Sequence, residues 1–125
     1  MSKPIIMAAA GLLALAVIAG AFGAHALKNH LSDAMLQTWK TAVDYHFYHA
    51  LGILLIGILS VAMPSVQLKW PAIFLFAGIV LFSGSLYALA LSGIKTLGAI
   101  TPLGGLSFVS GWILLLVDVW KKLPF

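Results

Sequence analysis

The sequence predicts an all-α fold, a bundle of four transmembrane helices in up-down-up-down order, with an interfacial helix leading into the second span. Three observations predict it. The 125 residues are 62% hydrophobic and 8% charged, where soluble domains carry about 25% charged residues, and the mean hydropathy is +1.11. So short a chain cannot enclose that many apolar side chains in a core of its own, because small domains leave much of their surface exposed. The seven Lys and three Asp also fall outside four charge-free runs, residues 4–27, 45–68, 70–94 and 96–117, which are 24, 24, 25 and 22 residues long. About 20 apolar residues at about 1.5 Å each cross about 30 Å of hydrocarbon, so each run is long enough. Finally, Trp39, Trp70, Trp120, Tyr45 and Tyr48 fall near the run ends, where an aromatic belt at the membrane interface would put them.

The first span reads as residues 4–27. Pro4 suits a first helical turn, where its missing N–H costs nothing. Lys3, the apolar run and Ala24-His25-Ala26 together resemble a signal peptide, but the run is longer than the roughly 7–15 residues of a signal h-region, and it is read as a span. Ala16, Gly20 and Ala24 repeat every four residues, a small-residue stripe that lets another helix approach closely. Ser32 and Asp33 then supply an N-cap and an anion at a helix start. Leu31, Met35, Trp39 and Val43 follow as an amphipathic face, which is the interfacial lead-in. The second span, residues 42–63, ends at Met63-Pro64. Trp70-Pro71 opens the third, residues 71–93, which ends at Ser92-Gly93. The segment "GIKTLGAITPLGG" is rich in turn formers, and Pro102 disfavours helix at Thr101. The fourth span, residues 103–120, carries Ser107 and Gly111 as a second small-residue pair. Asp118 and Lys122 are spaced to pair at its end. The chain is one integral membrane domain, residues 1–125. "GAHAL" and "SLYAL" match at two positions in five, which is too few for an internal repeat.

Charge excludes several function classes. The net charge is +4 and the pI about 9.6, but the Lys residues are scattered between spans as in membrane loops, and no nucleic-acid surface is read from them. The absence of Arg removes the bidentate fork for phosphate or carboxylate. The absence of Cys removes disulfides, thiolate metal sites and Cys nucleophiles. Four spans put both termini on one side. Lys3, Lys69, Lys121 and Lys122 lie on that side, against Lys28, Lys40 and Lys95 on the other, so the positive-inside rule favours cytoplasmic termini by one residue.

The candidate site is a polar cluster. Antiparallel first and second spans place His25 at a depth similar to His46 and His49, and the third and fourth spans turn on the same side, adding Tyr87 and Thr101. His46 and His49 are three apart and share a helix face. Three readings fit these residue types: a metal held by imidazoles or a haem between His25 and a second-span His, a polar pocket for a lipid, quinone or small solute, or a structural set that caps and cross-links helix ends. Asp44 lies on another face and Lys40 is spaced to pair with it, which leaves the histidines without an acidic partner. The structural reading is therefore taken, with the three histidines together at one membrane boundary and no cofactor, metal or haem. No catalytic set or phosphate loop occurs, and no enzymatic activity is read.

In order along the chain, "GAFGAHAL", "W-x-TAV-x-YH-x-YHAL", "SGSLYAL" and "ITPLGG-x-x-F-x-x-GW" resemble the pattern of the YgdD-like bacterial inner-membrane proteins. These form domain of unknown function 423 and are related to eukaryotic transmembrane protein 256. The resemblance covers nearly the whole chain and implies a small multi-pass protein of the bacterial plasma membrane, with no assigned activity. His46 stands where that pattern often has Gln. Two functions follow from the sequence. One is an accessory or assembly component working by helix contact in a larger membrane complex or homo-oligomer. The other is a transporter or carrier using a polar pocket near His25, His46 and His49.

Overall fold

A computed structural model describes residues 2–123, and these are mostly helical with no strand among them. The first helix runs Ser2–His25 and the second Asp33–Ala62. The third, Lys69–Ser92, is α-helical over Lys69–Gly78 and Gly84–Ser92 with one wide π turn, Ile79–Ser83, between them. A 3-10 turn, Lys95–Ala99, leads to the fourth helix, Thr101–Lys122. All four are long and apolar enough to cross a membrane.

The sequence sets the helix ends. Ser32 is extended (φ −62°, ψ 162°), and its hydroxyl accepts the Met35 N–H at 3.2 Å, which satisfies one of the donors a helix start leaves free. The lead-in continues into the second span, as its amphipathic pattern after Ser32 implies. It forms the opening turns of an unbroken 30-residue helix, and its apolar face is buried within the protein: Trp39 and Val43 join Leu27 and Ala90 in one packed cluster, with Leu31 against it. The third helix stops at Gly93, which takes the left-handed conformation (φ 72°) and donates its N–H to the Leu89 carbonyl at 2.8 Å, a geometry that favours glycine. The fourth helix begins two residues earlier than Leu103. Pro102 sits in its first turn, where the missing N–H has no helical partner to lose, so the proline starts the helix instead of delaying it.

The helices pack in chain order, first on second, second on third, third on fourth, and the first helix has the second as its main neighbour. The main core lies among the last three, where Ile53, Ile56, Leu75, Ile79 and Phe108 are buried. The third and fourth helices come closest at Gly104, where an added Cβ would strike the backbone of Phe82 in the π turn. Across the first interface, Gly20 faces Val43, Gly23 faces the Trp39 indole, and at the far end Gly57 faces Ile6. These pairings make the two helices antiparallel and fix which residues share a level.

Candidate functional site

Those levels move the histidines apart. Interpolating between the Gly23–Trp39 and Gly57–Ile6 pairs puts His46 level with Ala16 or Val17, at the centre of the first charge-free run. His25 lies nine residues further along that helix, or about 13 Å at about 1.5 Å per residue. His25 therefore lies at a different level of the bundle from His46 and His49. His25 is exposed at a helix end, whereas His46 and His49 are 5% and 7% exposed near mid-span. The sequence reading put them at similar depth because it took residue 42 as the membrane edge, while the second helix runs beside the first from its opening turns.

The two buried imidazoles also turn to different neighbours. His46 Nδ1 shares a hydrogen bond with the Tyr87 hydroxyl of the third helix at 2.9 Å. Its Nε2 is wholly buried and makes no hydrogen bond of good geometry, although the Leu12 backbone of the first helix lies near the ring. His49 Nδ1–H donates to the Tyr45 carbonyl of its own helix at 2.8 Å. Its ring stacks on Phe108 of the fourth helix, with centroids 3.5 Å apart and planes 9° apart, and Trp112 is tilted against it at 5.9 Å. Ionisable side chains within spans face a bundle interior, and both of these imidazoles do. The Thr101 hydroxyl pairs with Ser85 at 2.6 Å, apart from both histidines' partners. Asp44 is half-buried and does not pair with Lys40; the ion pair among the described residues is Lys122–Asp118, at 3.8 Å. Among the described residues no three His, Asp or Glu side chains converge.

Further polar ties escaped the sequence reading. Ser83 Oγ, on the π turn, donates to the Ala42 carbonyl at 2.7 Å and is fully buried. Ser107 Oγ donates to the Phe74 carbonyl at 2.7 Å. Trp39 is no belt residue: it is 7% exposed, and its indole N–H donates to the Ala19 carbonyl at 2.8 Å. Its signal was Gly23, the one position of the first helix without a Cβ where that ring arrives. Tyr45 stays 39% exposed while one side of its ring lies against Phe82 and Phe108. Ser83, Ser107 and Trp39 each tie one helix to the next through a backbone carbonyl.

The small-residue stripes are placed as follows. Ser107 and Gly111 face the third helix, where a Cβ on Gly111 would meet Leu75 at 2.8 Å. Ala16 is buried against the second helix and Gly20 is half-buried there, but Ala24 is exposed. The buried row on the first helix is Ala9, Ala16 and Gly23, spaced by seven rather than four, the period of a slightly supercoiled pair.

Comparison with known proteins agrees with this architecture. The family model for the protein of unknown function DUF423 matches residues 19–105. A UPF0382 membrane protein of Staphylococcus haemolyticus is 49% identical over 107 residues, covering 86% of this chain and 87% of its own. The UPF0382 membrane protein YwdK of Bacillus subtilis is 50% identical over 110 residues, 87% of this chain and 89% of its own. No solved structure matches. With four apolar helices of spanning length and these bacterial relatives, the chain is a multi-pass protein of the bacterial plasma membrane, and it belongs to the DUF423 family.

Proposed function

We propose that the protein is a non-enzymatic membrane component that works by helix contact, as an accessory or assembly subunit, and that the outer face of its first helix is the contact surface. One contrast supports this reading. The outer face of the fourth helix is made of large aliphatic side chains, Leu103, Leu106, Val109, Ile113 and Leu116, all more than half exposed, as suits contact with lipid tails. The face of the first helix turned away from the second intersperses four small exposed residues, Ala10, Gly11, Ala14 and Ala21, between the large exposed Met7 and Ile18, which leaves notches on that surface, and a Cβ on Gly11 would meet nothing within 4 Å. Small residues bring no advantage against fluid lipid but allow a second helix to approach closely. His25 lies one turn beyond Ala21 on the same face, at the end where it can bond a partner's polar group. The occupant is a second copy of this chain or a helix of a larger complex.

The carrier reading has less support. It needs a polar pocket by His25, His46 and His49, and the three best-formed cavities among the described residues are lined by other residues.

Single cysteines test the contact, since the chain has none of its own. Ala10→Cys, Ala14→Cys and Ala21→Cys should each crosslink in native membranes, to a second copy or to one other protein, while Leu106→Cys and Leu116→Cys should not. Silence at all three first-helix positions, or equal crosslinking from the fourth helix, would contradict the proposal.

A further inference from the structure

A second surface is independent of that contact. Because the first and third helices both pack on the second and not closely on each other, a gap opens between them at the end where the first helix starts. It is a cavity of about 530 Å³, within the roughly 300–1,000 Å³ of small-molecule pockets. Its walls are the opening turns of the first helix (Pro4, Ile5 and Ala8) and of the third (Ala72, Ile73 and Phe76), and Ile53 of the second helix forms part of the lining. These side chains are wholly apolar. Among the described residues the one polar side chain in the lining is Lys69, the first residue of the third helix and so at the membrane-surface mouth; it is exposed, with its ammonium resting 5.7 Å over the Trp70 ring, from where it can swing to a headgroup. Lys3 is exposed beside Pro4, and no carboxylate lines the cavity.

We infer that this groove is a binding site for one anionic phospholipid, with an acyl chain lying between the first and third helices and the headgroup phosphate against Lys69. The polarity gradient selects the occupant. An acyl chain satisfies the walls, and at the mouth a net negative headgroup complements a cation with no competing carboxylate, whereas a zwitterionic headgroup brings its own ammonium to the same place. A second copy of this chain would have to insert a helix side chain past Lys69 into a slot only two helical turns long, which suits a flexible chain end better than a helix face. The long Lys side chain has the reach to meet a phosphate at the interface, and basic residues beside a span attract anionic lipid at about fivefold per residue.

Native mass spectrometry of the delipidated full chain, titrated with phosphatidylglycerol or phosphatidylcholine of the same acyl chains, tests the assignment. One phosphatidylglycerol should be retained at detergent concentrations that strip phosphatidylcholine. Lys69→Gln should lower the preference for phosphatidylglycerol about fivefold while a matched control, Lys28→Gln at the other end, leaves it unchanged. Ala8→Phe, at an exposed wall position that can enlarge without disturbing the core, should reduce retention of both lipids. Equal retention of the two lipids, a preference that survives Lys69→Gln, or displacement of phosphatidylglycerol by inorganic phosphate would each overturn the site. So would crosslinking of Phe76→Cys to a second copy, which would give the groove to a dimer instead.

Discussion

His46 is the residue on which the buried polarity turns. Its hydrogen bond to Tyr87 ties the second helix to the third, and its other nitrogen has only the poorly aligned Leu12 backbone beside it. Interhelical hydrogen bonds in membranes are worth about 0.6 kcal/mol on average and at most about 1.7. Tyr87→Phe should therefore lower stability in bicelles by an amount in that range, since it leaves His46 without that bond. Replacing both partners with apolar groups can be close to neutral, so the double variant Tyr87→Phe with His46→Leu should recover most of the loss, and a double-mutant cycle measures it. His46→Gln should be nearly silent, because an amide can still bond the Tyr87 hydroxyl. A large loss in His46→Gln would mean that the imidazole itself is needed. The residue types of this site were visible in the sequence, but their pairings were not. Spacing of three on a helix says that His46 and His49 share a side, yet the ring of one reaches Tyr87 and that of the other Phe108, which depends on how the third and fourth helices are set around the second.

At the scale of the helix, closeness is governed by individual glycines. A Cβ at Gly104 would strike Phe82 backbone, which cannot swing aside as a side chain can, whereas at Gly105 it would meet nothing. Gly104→Ala should cost about 1–3 kcal/mol by overpacking, and Gly105→Ala should cost nothing measurable or stabilise. Gly23→Ala and Gly20→Ala make the parallel pair on the first helix. The former would meet the Trp39 ring at 2.5 Å and displace its bond to Ala19, while the latter would make an ordinary contact with Val43 at 3.5 Å. Thermal unfolding of the four variants in one detergent checks both rankings, and a reversed order in either pair would contradict the packing described here. Helix existence and type were legible from the charge-free runs, and the start at Ser32 and stop at Gly93 from local chemistry. The register between helices was not legible. Ala16, Gly20 and Ala24 satisfy the small-residue spacing as well as Ala9, Ala16 and Gly23 do, and only the neighbouring Trp39, which must fit somewhere, selects the second row. The π turn at Ile79–Ser83 left no sequence signal of its own, since its residues read as ordinary apolar helix.

For the whole molecule, the arrangement is a three-helix core with the first helix attached along one side. Several interior polar groups tie one helix to the next, and the surfaces that remain are an aliphatic face on the fourth helix, a face of mixed small and large residues on the first and an apolar groove with one lysine at its mouth. The hydrophobic pattern revealed a membrane protein of four spans but not which faces are covered, because in a chain this apolar both lipid-facing and helix-facing positions are hydrophobic and only side-chain size distinguishes them. The central claim is that the first helix docks a partner helix through that mixed face, and Gly11→Leu tests it most directly. A Cβ at Gly11 is in open space, so the isolated chain should keep the thermal stability of the parent. In native membranes the crosslink from Ala14→Cys should be lost when Gly11→Leu is added, since a bulky side chain would hold the partner helix away. An undiminished Ala14→Cys crosslink in the Gly11→Leu background, with stability unchanged, would contradict the account.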